Sequence, residues 1–292
     1  MTQQPTADPR WRDAEGREID QEDRGLVYDI STLVNRRSVL GLFGGVAAAT
    51  LLAACATEAT TATTTTSGGA NSTSGSGGTA ATGDLTEVPD ETAGPYPGDG
   101  SNGVNVLDDS GIVRRDIRSS FGSSTTTVDG VPLTINLTVR DLATGSVLSG
   151  AGVYLWHCTP DGNYSLYNSG HENENYLRGV QEVDATTGTA TFTSVFPGAY
   201  PGRWPHIHFE VYSDVATAVA NGPIVKTSQI ALPQEVSALV YADSTYGQST
   251  RNLGQSSLAT DNVFSDDGGI YQLATMTGSV EAGYTASLTI GV

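Results

Sequence analysis

The chain has 292 residues, 32 acidic against 14 basic side chains and a formal net charge of −18, so it is long enough for one or two domains. Such a surplus of negative charge repels nucleic acid and anionic lipid headgroups, which excludes both as partners, and it gives no long-range help to an anionic substrate. Two cysteines, Cys55 and Cys158, are too few for a disulfide framework once Cys55 is assigned as below.

Residues 1–37 are polar and charged and close on Arg36-Arg37, ahead of an uncharged apolar run, 39–54, that ends at Cys55. A basic pair, a short apolar run and small residues before a cut site make an export signal, here residues 1–54. The run is shorter than the ~20 residues of a spanning helix. The paired arginines resemble a twin-arginine address, which exports folded proteins. "LAAC" resembles a bacterial lipobox, whose cysteine is lipidated and becomes the mature N-terminus; an ordinary secretory signal with an incidental cysteine is the alternative. Residues 55–86 then form a lipid-anchor cysteine and a disordered, low-complexity linker. Thr, Ser, Gly and Ala dominate 56–83, which carry too little apolar surface to offset the entropy of ordering them. The expected location is the cell envelope, lipid-anchored to the outer face of the cytoplasmic membrane, or secretion. Membrane contact is expected only through the lipid. After Cys55 the chain holds eight basic and 24 acidic residues, a net −16.

Residues 87–292 read as one all-β domain, an antiparallel β-sandwich with little helix. In 131–141, Val131, Leu133, Ile135, Leu137 and Val139 alternate with polar residues, the pattern of a half-buried strand. Tyr284, Ala286, Leu288, Ile290 and Val292 repeat it at the C-terminus. The stretches 151–158, 189–196, 206–212 and 224–232 are rich in β-branched and aromatic residues and predict further strands. Asp-Gly pairs at 129–130, 161–162 and 267–268 predict turns. One helix is predicted, over 233–246, with Pro233 at its start and Glu235 in its first turn.

The chemistry concentrates in "GAYPGRWPHIHFEVY" (198–212). Two of the four histidines, His206 and His208, stand one residue apart on a predicted strand, where period-two alternation turns both imidazoles to one face. That arrangement offers two neutral nitrogen ligands to one metal ion; two surface histidines on a half-exposed strand is the plainer reading. No carboxylate lies in 185–205, and His157, His171 and Cys158 make an unconvincing third zinc ligand. Tyrosines are close instead: Tyr200, and Tyr164 after the 161–162 turn. A phenol ionises only near pH ~10 and suits zinc poorly, whereas a hard, highly charged ferric ion can hold a phenolate. His157 beside Cys158 reads as packing, since a free cysteine behaves as a small buried hydrophobe. Trp156 reads as core, and Trp204 as core or pocket rim.

"GPYPGDG" (94–100), "YLWHCTPDGNYSLY" (154–167), "FPGAYPGRWPHIHFEV" (196–211) and "TSQIAL" (227–232) resemble, in that order, the intradiol ring-cleavage dioxygenases. The likeness spans about residues 90–292 and is nearest to the protocatechuate-type, exported branch. The catechol-type branch has an N-terminal helical dimerisation region where this chain has a signal and a tether. The resemblance implies one non-haem Fe3+ per domain, with Tyr164 and His208 as equatorial ligands and Tyr200 and His206 as axial ones. Tyr167 is the rival for the first tyrosine. It implies that Arg203 lies against the substrate ring, with Gln229 near that arginine, and that Gly94 and Pro95 form a pocket wall, although a plain turn explains that pair equally. The implied reaction inserts both atoms of O2 between the hydroxylated carbons of a small catechol-type aromatic diol to give a muconate-type diacid. The fold is compatible with an oligomer. The competing readings are a tethered, non-catalytic β-sandwich binding module, a zinc or ferrous enzyme, and an iron-binding relative with little turnover.

Overall fold

The computed structural model describes residues 85–292. The export signal, Cys55 and the tether through residue 84 lie outside the described residues. Among the described residues no helix is long and apolar enough to cross a membrane.

The predicted strands form, and the described residues make an all-β domain in two layers. The strands are β1 (Pro132–Arg140), β2 (Gly152–Trp156), β3 (Arg178–Glu182), β4 (Thr189–Val195), β5 (His206–Tyr212), β6 (Ile224–Ala231), β7 (Thr275–Ser279) and β8 (Gly283–Gly291). They make two four-stranded sheets, ordered β4-β1-β8-β7 and β3-β2-β5-β6. The alternation in β1 holds: Leu133, Ile135, Leu137 and Val139 are buried between half-exposed neighbours. One pairing departs from the antiparallel expectation. β1 and β8 run parallel, with Ile135 opposite Ala286 and Leu137 opposite Leu288. Most of the domain lies between these two strands, and a parallel partner needs such a long connection. β3 and β7 were not predicted, because each has few apolar residues and owes its conformation to the neighbour it pairs with.

The predicted helix is broken into pieces. α2 (Gln234–Val240) starts at Pro233, which caps it from outside rather than occupying its first turn. Asp243 then accepts from the Thr245 backbone N–H and starts a separate 3-10 turn, Ser244–Tyr246, followed by α3 (Gly247–Leu253). A capping carboxylate inside a helical stretch competes with helix hydrogen bonds, which is why one helix becomes several. A further short helix, α1 (Val215–Val219), follows β5 and is capped by Asp214.

Between the sheets lies the main core. Ile135 and Leu137 of β1, Phe192 of β4 and Ile290 of β8 meet Val153 and Leu155 of β2 and Ile207, Phe209 and Val211 of β5. Full burial of each such side chain contributes about 1.5–3 kcal/mol. The second sheet is covered on its other face as well. There Tyr154, Trp156, Val180 and Tyr212 pack against Ala93, Tyr96, Val106, Leu107, Ile112 and Tyr164. Every residue of β2 and β5 is therefore buried, as expected for strands covered on both faces. His206 and His208 belong to this outer, loop-covered face.

Candidate metal centre

Because Ile207 and Phe209 point into the core between the sheets, His206 and His208 share the opposite face of β5. Their Nε2 atoms lie 3.1 Å apart. His206 Nδ1 is 2.5 Å from the Trp204 carbonyl. A carbonyl only accepts, so Nδ1 carries the proton and Nε2 presents a lone pair to the centre. His208 stacks on Trp156, ring centroids 4.9 Å apart and planes 6° from parallel, and its buried Nδ1 has no hydrogen-bond partner. Burial holds both imidazoles well below the ordinary histidine pKa; after burial, the Arg203 guanidinium acts on His206, and His206 acts on His208. Both rings are neutral near pH 7.

Two phenols join them. The Tyr200 hydroxyl lies 3.3 Å from His206 Nε2. Tyr164 is carried in by the predicted turn, which closes as Asn163 N–H donates to Thr159 Oγ1 (2.9 Å) and Gly162 N–H to the Thr159 carbonyl (2.9 Å). Gly162 has φ +90°, and a Cβ there would lie 3.3 Å from Tyr200 Cβ, so this glycine lets the turn rest against the second tyrosine. The Tyr164 ring stands 5.9 Å from Tyr200 and 6.2 Å from His208, both edge-on. Its buried hydroxyl forms no hydrogen bond of acceptable geometry. Burial first, then the nearby Tyr200 phenol, push its pKa well above that of free tyrosine. The rival Tyr167 is engaged elsewhere: its hydroxyl accepts from Gly98 N–H (2.8 Å) and donates to Asn102 Oδ1 (3.0 Å).

Among the described residues no three His, Cys, Asp or Glu side chains gather in a way that could hold a metal. The further side-chain oxygens that stand beside the histidine pair are the hydroxyls of Tyr200 and Tyr164. The residues fit a hard, highly charged cation: two neutral imidazoles, and a buried phenol that gives up its proton only beside strong positive charge.

Arg203 stands at the edge of this group. Its Nη1 donates to the Tyr200 hydroxyl at 3.2 Å and lies 3.5 Å from His206 Nε2. Its Nη2 donates to Gln229 Oε1 at 2.7 Å. Gly94 (φ +72°) brings its backbone against His208, where a Cβ would meet Cε1 at 3.3 Å. The neighbouring Pro95 is half-buried. The sequence-predicted residues Tyr164, Tyr200, Arg203, His206, His208, Gln229 and Gly94 thus occupy one region. His157 and Cys158 do not join it: His157 bonds Ser194 Oγ (2.7 Å), and the Cys158 thiol donates to the Gly198 carbonyl (3.4 Å) with its pKa pushed up to about 12 by burial. Trp204 is buried and donates to the Leu232 carbonyl (2.8 Å).

Two neighbours of the centre escaped the sequence reading. Asp261 is fully buried and pairs with Arg203 at 3.0 Å. Arg178 is buried with all its donors used, bonding Ser165, Tyr154 and the carbonyls of Tyr96 and Pro97. It thereby ties the Tyr164 loop to the segment carrying Gly94 and Pro95. Neither residue sits in a local motif that marks it.

No protein-family model matches the chain, and no curated protein matches it by sequence. Solved structures do. An intradiol ring-cleavage dioxygenase from Tetranychus urticae matches with a TM-score of 0.52 and 26% identity, covering 63% of this chain and 87% of that one. A second dioxygenase structure matches with a TM-score of 0.52 and 25% identity over the same shares, 63% and 87%. The dioxygenase domain of a dioxygenase–carbohydrate-binding protein fusion from the cellulolytic bacterium Streptomyces sp. SirexAA-E has a TM-score of 0.46 and 21% identity, over 71% of this chain and 98% of that one. The chain is thus similar in fold to intradiol ring-cleavage dioxygenases.

Proposed function

We propose that the protein is a non-haem ferric dioxygenase. It opens a catechol-type ring between the two hydroxylated carbons, consuming O2 and giving a muconate-type diacid. One observation carries this reading: two neutral imidazoles and two phenols meet at one buried point beside a guanidinium. Tyr164, Tyr200, His206 and His208 would hold the ion. A ferric ion there would supply Lewis acidity toward a chelating catechol and keep the phenols ionised. Tyr200, as phenolate, would take one substrate proton at its hydroxyl oxygen. Arg203 stays charged at any working pH and would stabilise negative charge developing on the ring. Gly94 and Pro95 would wall the pocket, and Gln229 would hold Arg203.

Oxygen uptake by the iron-loaded protein against catechol, protocatechuate and hydroxyquinol, with product identification, tests the reading. The expected result is a red-brown protein that consumes one O2 per ring opened. Arg203→Ala should keep the colour, because arginine offers no lone pair, and lose about 10²–10³ in rate. A colourless protein, or a coloured one inert toward every catechol, would sink the proposal.

For the front of the chain we infer export by a twin-arginine route and lipid anchoring at Cys55. Lipoprotein processing adds at least two acyl chains, enough for stable anchoring. Cys55→Ser should release the protein from the membrane fraction without changing its chemistry, and Arg36→Lys with Arg37→Lys should retain it inside the cell. A Cys55→Ser variant that still pellets with membranes removes the anchor.

A further inference from the structure

Asp261 lies 58 residues beyond Arg203, in the irregular stretch between α3 and β7. Its two oxygens divide their work. Oδ2 accepts from Arg203 Nε at 3.0 Å and from the Trp204 backbone N–H at 2.7 Å. Oδ1 accepts from the backbone N–H of Val263 (2.9 Å) and Phe264 (3.2 Å), with a long contact to Arg203 Nη2 at 3.5 Å. The carboxylate is thus locked by its own loop on one side and grips two consecutive residues of the arginine segment on the other. Trp204 packs beside it with Val263 and Phe264.

The guanidinium is planar, so fixing two of its nitrogens fixes the third. Asp261 holds Nε and Gln229 holds Nη2. What remains is Nη1, which faces Tyr200 and His206. We propose that Asp261 is the positioning residue that aims Arg203 Nη1 at the Tyr200–His206 edge of the centre, and that it offsets the buried positive charge without reaching the reacting atoms. The proposal rests on the catalytic role given to Arg203 above. A buried ion pair of this kind is strongly destabilised by loss of one partner, because the other charge is left uncompensated, whereas removing both is far milder.

The experiment uses the full, iron-loaded chain in its unaltered form and as Arg203→Ala, Asp261→Asn and the double variant. Melting temperature and oxygen-uptake kinetics with catechol, protocatechuate and hydroxyquinol are measured for each, with and without guanidinium ion at a non-denaturing concentration. Asp261→Asn should keep the tyrosinate colour and lose about tenfold or more in kcat, with a smaller change in KM. The double variant should be no slower than Arg203→Ala and should melt no lower than the worse single variant. Guanidinium should raise the melting temperature and partly restore the turnover of Arg203→Ala, but do neither in the double variant, which lacks the carboxylate to bind it. If both single variants fold poorly and the double recovers, that recovery is itself the expected result.

If Asp261 merely staples a loop, the melting losses add, guanidinium acts alike on both variants lacking Arg203, and kcat per folded Asp261→Asn molecule equals the unaltered value. Any of these overturns the proposal. Should no form turn over catechol, protocatechuate or hydroxyquinol, the functional reading of Arg203 fails, while the melting temperatures still decide whether the two residues act as a unit.

Discussion

Gln229 stands directly opposite His208 in the β5–β6 register. Its amide is used on both sides: Oε1 accepts from Arg203 Nη2 at 2.7 Å, and Nε2 donates to the Thr92 carbonyl at 2.9 Å. One side chain thus joins the arginine to the chain entering Gly94. Gln229→Ala takes an acceptor from Arg203 Nη2 and a donor from the Thr92 carbonyl, each worth about 1–3 kcal/mol. A tenfold or greater fall in kcat is expected, with iron content and colour retained. A variant with unchanged kinetics would show that Arg203 is held without the amide.

The tyrosines separate by spectrum. Tyr164→Phe and Tyr200→Phe should each weaken the visible charge-transfer band of the iron-loaded protein. Tyr167→Phe should leave it intact, since that hydroxyl is engaged with Gly98 and Asn102. A bleached Tyr167→Phe moves the ligand there.

Gly94 is expected to tolerate no side chain. Its φ of +72° puts an L-residue in the left-handed region, costing about 1–2 kcal/mol, and a Cβ would stand 3.3 Å from His208 Cε1. Gly94→Ala should lower the iron bound per chain and the melting temperature. Full iron occupancy and unchanged stability would remove this segment from the wall of the site.

His157 is buried and its pKa is held down to about 4, chiefly by burial. Between about pH 6.5 and 4 the unfolded chain takes up a proton that the folded one refuses, so stability is present above pH 6.5 and is lost as pH falls. The slope is at most about 1.4 kcal/mol per pH unit for one proton. Denaturant melts of His157→Gln across this range should show a flatter acid limb, and an unchanged limb would assign the loss to other groups.

Glu91 acts with the opposite sign. Burial first, then the negative charge of Asp266, push its carboxyl up to about 8. Between pH 4.5 and 8 the folded state holds a proton that the unfolded state has released, so stability falls as pH rises through that window. Glu91→Gln should flatten the fall in a pH series of melting temperatures, and a steeper fall would show the carboxyl to be stabilising when charged.

The division between sequence and tertiary structure follows from how far apart the determinants lie. Period-two alternation in β1 and β8, the shared face of His206 and His208 and the turn that delivers Tyr164 are local properties, set by strand geometry and turn chemistry within a few residues. They were legible in order along the chain, as was the absence of a carboxylate in residues 185–205, just before the histidine pair. The front-end reading, with Arg36-Arg37 and Cys55, is likewise local and rests on sequence alone. Other features needed the fold. β1 and β8 pair in parallel because the chain returns after most of the domain, and no local pattern encodes direction. β3 and β7 are strands because a neighbour accepts their hydrogen bonds, not because their residues alternate. Asp261 reaches Arg203 across 58 residues, and Arg178 spends its donors on two loops that only the fold brings together. Residue types and their spacing could nominate two histidines and two phenols; only packing could bring the four together, bury all but the half-buried Tyr200, hold the imidazoles neutral and set an arginine beside them with its charge offset.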